Sequence, residues 1–232
     1  MSKVVHPYAH RLVTLRDWKS RWIAGDKKYQ EYLRSDVLMR EYLVKKLRGS
    51  YVSVIEFERS QKATRLIIRT SRPGMIIGRN GEGLQKLRLD IDKLIRKQKL
   101  LVATDFKIDL VEVSNPDADA AIVAQGVAEA LEKRLPFRRV LKQMVEKVMG
   151  AKGVYGVRVV LGGRLGGAEI ARSEEIKRGS VPLQTIRADV DFAREKAHMA
   201  YGVIGIKVWI YRGEIFSQKD DAKNKSSQAN LN

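Results

Sequence analysis

Cysteine is missing from this 232-residue chain and histidine occurs only three times. Without cysteine there are no disulfides and no thiolate metal sites, which fits a reducing, intracellular compartment. His6 and His10 lie four apart in an irregular stretch with no carboxylate or cysteine set to complete a ligand group, so the pair reads as chance and no metal is expected. No apolar run approaches the roughly 20 residues that a membrane helix requires. No secretory or lipidation signal follows the opening Met-Ser-Lys. Internal repeats and low-complexity tracts are absent as well. Acidic residues are in short supply, with 27 Asp and Glu against 45 Lys and Arg and a net charge of +18. Charge of one sign on that scale attracts polyanions, nucleic acid first and an anionic membrane surface second. The chain reads as a soluble, cytoplasmic, polyanion-binding protein.

Catalytic signatures are also lacking. The glycine turn at 162–167 is followed by Ala168 and Glu169, where a nucleotide-binding loop needs Lys and Ser or Thr. Gly78, Gly81 and Gly83 have the wrong order of spacings for a dinucleotide fingerprint. Asp189 and Asp191, with Glu174 and Glu175 upstream, are the best paired carboxylates. Beside Arg187, Arg194 and Arg172 they read as surface ion pairs. No nucleophile stands next to a base. The expectation is a non-enzyme with no cofactor and no small-molecule substrate.

What is present centres on residues 72–88. Pro73 suits a helix start, and Gly78 and Gly81 bracket Arg79 and Asn80. Leu84, Leu87, Ile91, Leu94 and Ile95 then recur at helical spacing, so the loop joins two helices. Two glycines so placed let the backbone pass close to a sugar-phosphate chain, and the amides opening the second helix favour an anion. Arg72, Arg79, Lys86 and Arg88 supply charge around them, and Lys93, Arg96 and Lys97 stud the same helix further on. A glycine-rich helix connection without a ligand is the competing reading of these residues alone.

Residues 1–100 carry 24 basic against 10 acidic side chains, so much of the attraction lies in the first half. Residues 1–35 read as an arm in which Arg11, Arg16, Lys19 and Arg21 interleave with Tyr8, Trp18 and Trp22. Such a mixture suits RNA, or packs its tryptophans on its own domain. A helix is predicted from Ser35, capped by Ser35 or Asp36 and closed by Gly49, followed by strands at 51–57, 64–70 and 105–113. Asn115 and Pro116 mark a boundary and the start of an Ala-rich helix to about Arg134; Pro136 starts another. In that second helix Phe137, Val140, Leu141, Met144, Val145 and Val148 share a stripe, and Arg138, Arg139 and Lys142 share a narrow arc opposite. A solvated face would mix signs, and only Glu146 joins that arc, which favours a nucleic-acid contact. Four strands follow, at 154–161, 169–177, 185–194 and 202–211. The class is α+β throughout: an arm at 1–35, a first domain at 36–113 with a three-stranded sheet and helices, and a second at 114–214 with two helices on a four-stranded, largely antiparallel sheet. A polar tail at 215–232 is predicted to be disordered.

The order helix, strand, strand, helix, Gly-x-x-Gly, helix, strand over 36–113 resembles a type II KH domain, whose loop holds about four nucleotides by their backbone. Downstream, 163–172 (Gly-Arg-Leu-Gly-Gly-Ala-Glu-Ile-Ala-Arg), 181–183, 187–191 and 200–210 are long specific strings. With Phe137-Arg138-Arg139 they make residues 1–214 similar to the bacterial form of the small-subunit ribosomal protein three family. The resemblance implies a ribosomal component of the small-subunit head, binding ribosomal RNA through both domains. It also implies contacts with neighbouring head proteins and a place along the channel through which messenger RNA enters. By motif match, messenger unwinding falls to Arg138, Arg139 and Lys142, and Arg11, Arg16, Lys19, Arg21, Arg164, Arg172 and Arg178 become candidates for ribosomal RNA contact. The chain departs from the family in carrying Asn80 for a usual basic residue, Gln143 for an often basic one, Ser180 for a usual Arg, and Glu175-Ile176 for a Trp-Tyr pair. The usual Asn-Pro-Ile-Gly-Phe-Arg near the start reads His-Pro-Tyr-Ala-His-Arg at 6–11. Two other readings stay in view: a free KH regulator of messenger RNA, and a nucleic-acid lyase using a lysine amine.

Overall fold

The computed structural model of the chain describes residues 5–60, 62–102 and 105–216. A short helix α1 (Pro7–His10) and a two-residue strand β1 (Ser20–Arg21) precede helix α2 (Asp26–Lys46). Then come β2 (Val52–Arg59), β3 (Ala63–Thr70), the five-residue α3 (Pro73–Ile77), α4 (Glu82–Gln98) and β4 (Asp105–Glu112). The sheet order is β1-β2-β3-β4, with β2 and β3 antiparallel and β4 parallel to β3. The three expected strands are there, and β1 adds a parallel edge beside β2 that no periodicity announced. Its two residues are too few to carry a pattern. Met39, Leu43, Phe57, Leu66, Ile68, Leu87 and Ile91 form the core between helices and sheet.

Helix α2 begins nine residues before the predicted cap. Ser35 and Asp36 do not cap it; both are buried in its middle. The Ser35 hydroxyl donates to the Glu31 carbonyl at 2.6 Å and Asp36 accepts from Trp22 Nε1 at 2.8 Å and from Arg59. Residues 26–35 are too polar for a helical stripe, and the aromatic support comes from Trp22, whose ring packs on Tyr29 and Tyr32 at 5.1 and 5.5 Å. Of the arm's two tryptophans, Trp22 thus packs on its own domain and Trp18 stands exposed.

The second domain places α5 (Ala120–Glu132) and α6 (Phe137–Met149) on a sheet of β5 (Gly156–Gly163), β6 (Arg172–Gly179), β7 (Ala188–Met199) and β8 (Gly202–Glu214). The order is β6-β5-β8-β7 and every pairing is antiparallel. Val157, Val159, Leu161, Ile204, Ile206, Val208 and Ile210 point to one side and are buried under Val127, Leu131, Val140, Leu141 and Val145 of the helices. Alternation has period two, so the residues between them face the other way. The cap of α5 is Asp119, not Asn115: Asn115-Pro116 open a separate 3-10 turn, and the Asp119 carboxylate accepts from the Ala121 and Ile122 amides at 2.9 and 3.2 Å. The predicted tail falls outside the described residues from 217 onward. Ile215 still donates its amide to the Arg187 carbonyl at 2.9 Å, and Phe216 lies under the Arg187 guanidinium.

Contacts between residues far apart in sequence join the two domains. Ser53 on β2 donates to Asp119, Tyr51 donates to Glu129, and the Gln125 amide donates to the Val52 carbonyl at 2.8 Å. Burial, and then the neighbouring Asp191 carboxylate, push the Asp119 carboxyl above the usual carboxylate range. A raised folded-state value means this group's contribution to stability is fully present below its unfolded pKa and lost as pH rises through the folded one. Asp119→Asn keeps a good cap and removes the buried charge. The variant is expected to match or exceed the parent in urea stability at pH 7, with the difference shrinking toward pH 4. A variant less stable by more than about 1 kcal/mol at pH 7, the usual loss of a cap, would refute that account.

Candidate nucleic-acid interface

The loop after α3 is built on three glycines. Gly78 has φ +70° and Gly81 φ +79°, in the left-handed half of the backbone map that side chains rarely adopt. Asn80 between them sits at φ 50°, ψ 23°, a conformation that asparagine tolerates better than most residues. That is a physical reason for Asn80 where the resemblance leads one to expect a basic residue. Gly83 is the third glycine, and spacing arguments missed its role: a Cβ there would stand 2.4 Å from the Ile76 carbonyl oxygen. Contact this close seats the first turn of α4 on the last turn of α3 and holds the loop in its bend. The signal available beforehand was only a glycine in a helix's first turn, where nothing local demands one.

Arg79 and Asn80 stand exposed at the tip, and Lys86 and Arg88 are exposed one to two turns along α4. Lys86 also pairs with Glu82 at 3.6 Å. Arg72 belongs elsewhere. At the start of α3, away from the tip, it lies over the Tyr51 ring at 4.4 Å in the cleft between the domains, near Glu129 and Lys133.

On α6, Arg138, Arg139 and Lys142 are all exposed while Val140, Leu141 and Val145 are buried, so the greasy and basic sides separate as the spacing predicts. Arg138 forks onto the Glu174 carboxylate with both contacts at 3.3 Å. That hydrogen bond, and then the charge of Glu174, raise the Arg138 pKa. Arg172 approaches the same carboxylate at 3.7 Å. Strand register puts Arg178 on the same side of β6 as Arg172 and Glu174, so the edge strand extends the basic surface of α6.

The arm candidates divide. Arg11 is fully buried, and no phosphate reaches it. Its guanidinium donates to the carbonyls of Ala188 (2.6 Å), Pro7 (3.1 Å), Leu183 (3.1 Å), Thr185 (2.9 Å) and Pro182 (3.3 Å). Arg16 pairs with Asp189 at 2.6 Å, and Arg21 lies among Asp17, Glu56 and Glu58. The Lys19 ammonium sits 5.1 Å from the Tyr8 ring centroid. Arg164 is half-buried and donates to the Ala168 and Tyr201 carbonyls at 2.9 and 3.2 Å, holding the glycine turn. Basic residues in an arm look alike in sequence; which of them are spent on buried carbonyls depends on loops far away in the chain.

The carboxylates predicted as ion pairs are ion pairs, Glu174 with the expected Arg172 as well as Arg138 and the others with other partners. Asp189 meets Arg16, Asp191 meets Arg212 at 2.8 Å, Glu175 meets Arg158, and Arg187 turns to Glu214. His6 packs edge-on against Phe192 at 4.8 Å. Among the described residues no group of three or more His, Asp or Glu is placed to hold a metal, and no helix is long and apolar enough to cross a membrane.

Residues 38–118 match the KH domain family, and residues 127–210 match the family described as "Ribosomal protein S3, C-terminal domain". Over nearly their whole lengths the chain is similar to proteins named small ribosomal subunit protein uS3. That of Caldicellulosiruptor bescii is 42% identical over 225 residues, covering 97% of this chain and 98% of the relative. That of Hahella chejuensis is 42% identical over 235 residues, covering 98% and 100%. That of Enterococcus faecalis is 42% identical over 223 residues, covering 96% and 98%.

Proposed function

We propose, since this chain belongs to the small ribosomal subunit protein uS3 family, that it works at the messenger channel of the small subunit as well as being part of its framework. Membership makes it a structural, non-enzymatic component of the small ribosomal subunit that binds ribosomal RNA. The finer reading assigns two roles. The loop 78–81, with Arg79, Lys86 and Arg88, clamps a stretch of ribosomal RNA backbone in the subunit head. The exposed arc Arg138, Arg139 and Lys142 lines the channel where messenger RNA enters and helps part its hairpins, beside neighbouring head proteins.

The messenger role rests on one observation. Three cations stand together on the outer side of α6, and the only acid bonded to them among the described residues is Glu174, on the edge strand β6. Separated strands let all three cations meet phosphates at once, whereas a duplex too wide for a constriction cannot. Arg138 is held on Glu174 until a phosphate replaces it. Arg138→Ala with Arg139→Ala is therefore expected to slow translation through a stable hairpin several-fold while subunit assembly and unstructured messages are unaffected. Toe-printing or single-ribosome timing on paired templates measures this, and equal read-through of a strong hairpin would end the assignment. A free messenger regulator would instead be recovered in the soluble fraction at moderate salt, not with the small subunit.

A further inference from the structure

The side of the second sheet turned away from α5 and α6 carries an apolar patch, where Trp209 and Phe192 pack with Val181 and Leu183, and beyond that patch a stretch assembled against the protein's own stability. Register sets its outward residues in rows across the strands. One row reads Lys196, Gly205, Gly162, Ser173; the next reads Arg194, Lys207, Val160, Glu175. In the second row Arg194 lies directly opposite Lys207, and one row further Arg158 lies directly opposite Lys177. Like charges facing each other across strands destabilise a sheet. Arg158 is partly relieved by Glu175, whose carboxylate it reaches at 2.5 Å. Lys177, Arg194, Lys196 and Lys207 are exposed and have no carboxylate partner among the described residues.

The glycines add a second, independent cost. Gly162 and Gly205 pair across the middle of the sheet, where glycine weakens a strand. Neither has a left-handed φ. A Cβ on Gly162 would meet nothing within 4 Å, and one on Gly205 only the Gly162 carbonyl oxygen at 3.7 Å. Nothing among the described residues requires glycine at either place, in contrast to Gly83, Gly156 or Gly179, whose added Cβ would strike backbone. The result is a bare trough across two central strands, continued by Ser173 and rimmed by Lys196, Lys207 and Arg194. Strands lie about 4.8 Å apart, so the trough is roughly 10 Å long, room for about two nucleotides.

We propose that the part of this sheet face left open beside the Trp209–Phe192 patch is a second RNA-docking platform, on which a fixed stretch of small-subunit ribosomal RNA crosses the strands with its backbone laid on Gly162 and Gly205. The charge complementarity selects a polyanion: a protein neighbour would need a strongly acidic surface to quench four unpaired cations. The face lies on the side of the sheet away from α6, so the two basic surfaces address different RNA. This inference rests on the ribosomal reading above, and the test separates the two.

The full chain is bound to deproteinised small-subunit RNA over a range of salt. Gly162→Thr with Gly205→Thr fills the trough with residues that favour strands. Its melting temperature is expected to hold or rise while RNA affinity falls at least tenfold. Arg194→Ala with Lys207→Ala, which adds no atoms, is expected to keep the fold and lower the slope of log K against log salt by about two, one per lost phosphate contact. If the parent chain binds no RNA, the ribosomal reading and the platform both fall. If the parent binds and both variants bind equally with the same slope, the platform alone is overturned. It is overturned too if RNA binding is unchanged but reconstituted subunits lose a neighbouring head protein, since the face is then a protein interface.

Discussion

Arg11→Ala is expected to lower the stability of the second domain by about 3–5 kcal/mol, the loss seen when one partner of a buried charged network is removed. The side chain donates to five carbonyls, four of them in the segment 182–188 that leads into β7. Without it those oxygens lose their partner while still shielded from water, and each unsatisfied group costs about 1–3 kcal/mol unless solvent follows. At roughly 2–4 °C per kcal/mol for a chain of this size, the melting temperature should fall by roughly 6–20 °C. Arg11→Lys is expected to recover little, because one ammonium cannot reach carbonyls spread around a planar fork. Thermal unfolding followed by circular dichroism decides it; a shift under about 2 °C, no more than about 1 kcal/mol on that scale, would show that Arg11 is not a structural pin. The same contacts explain what the arm does: α1 docks on β7 through His6 and Phe192, β1 pairs with β2, and the arm straps the domains together.

Gly83→Ala is expected to cost about 2–3 kcal/mol in the first domain, the range for forcing extra atoms into a packed contact. It should also abolish most of the RNA affinity contributed by the loop. The added methyl would sit 2.4 Å from one backbone oxygen and 2.9 Å from the next, and backbone cannot swing aside as a side-chain tip would. Helix α4 must lift off α3, opening the bend at 78–81. Gly81→Ala meets no atom within 4 Å and pays only for its left-handed backbone, about 1–2 kcal/mol. Paired urea melts and RNA titrations of the two variants make the comparison. Equal losses, or a Gly83→Ala chain that binds RNA like the parent, would show that the close approach of the helices does not shape the loop.

Much of the fold was legible because its elements announce themselves locally. The stripe on α6, the alternation along β5 and β8 and the glycine pair around Arg79-Asn80 each repeat within a dozen residues, and the strings at 163–172 and 200–210 carried the family. Where local pattern was thin, boundaries slipped. Helix α2 starts at Asp26 because Trp22 covers a turn too polar to show a stripe, and Asp119 caps α5 because the Asn-Pro step opens a 3-10 turn first.

Sequence by itself determined the charge, the two α+β units, the glycine loop and the separation of basic from apolar on α6, since periodicity and composition are properties of neighbours. Tertiary structure alone decided which cations are free. Arg11 meets Ala188 across 177 positions, and Asp189 takes Arg16 across 173. Gly162 and Gly205 become a bare trough only when β5 and β8 align. A guanidinium is the same in every sequence; whether it meets a buried carbonyl, a carboxylate or an incoming phosphate depends on what folding brings to within about 3 Å of it.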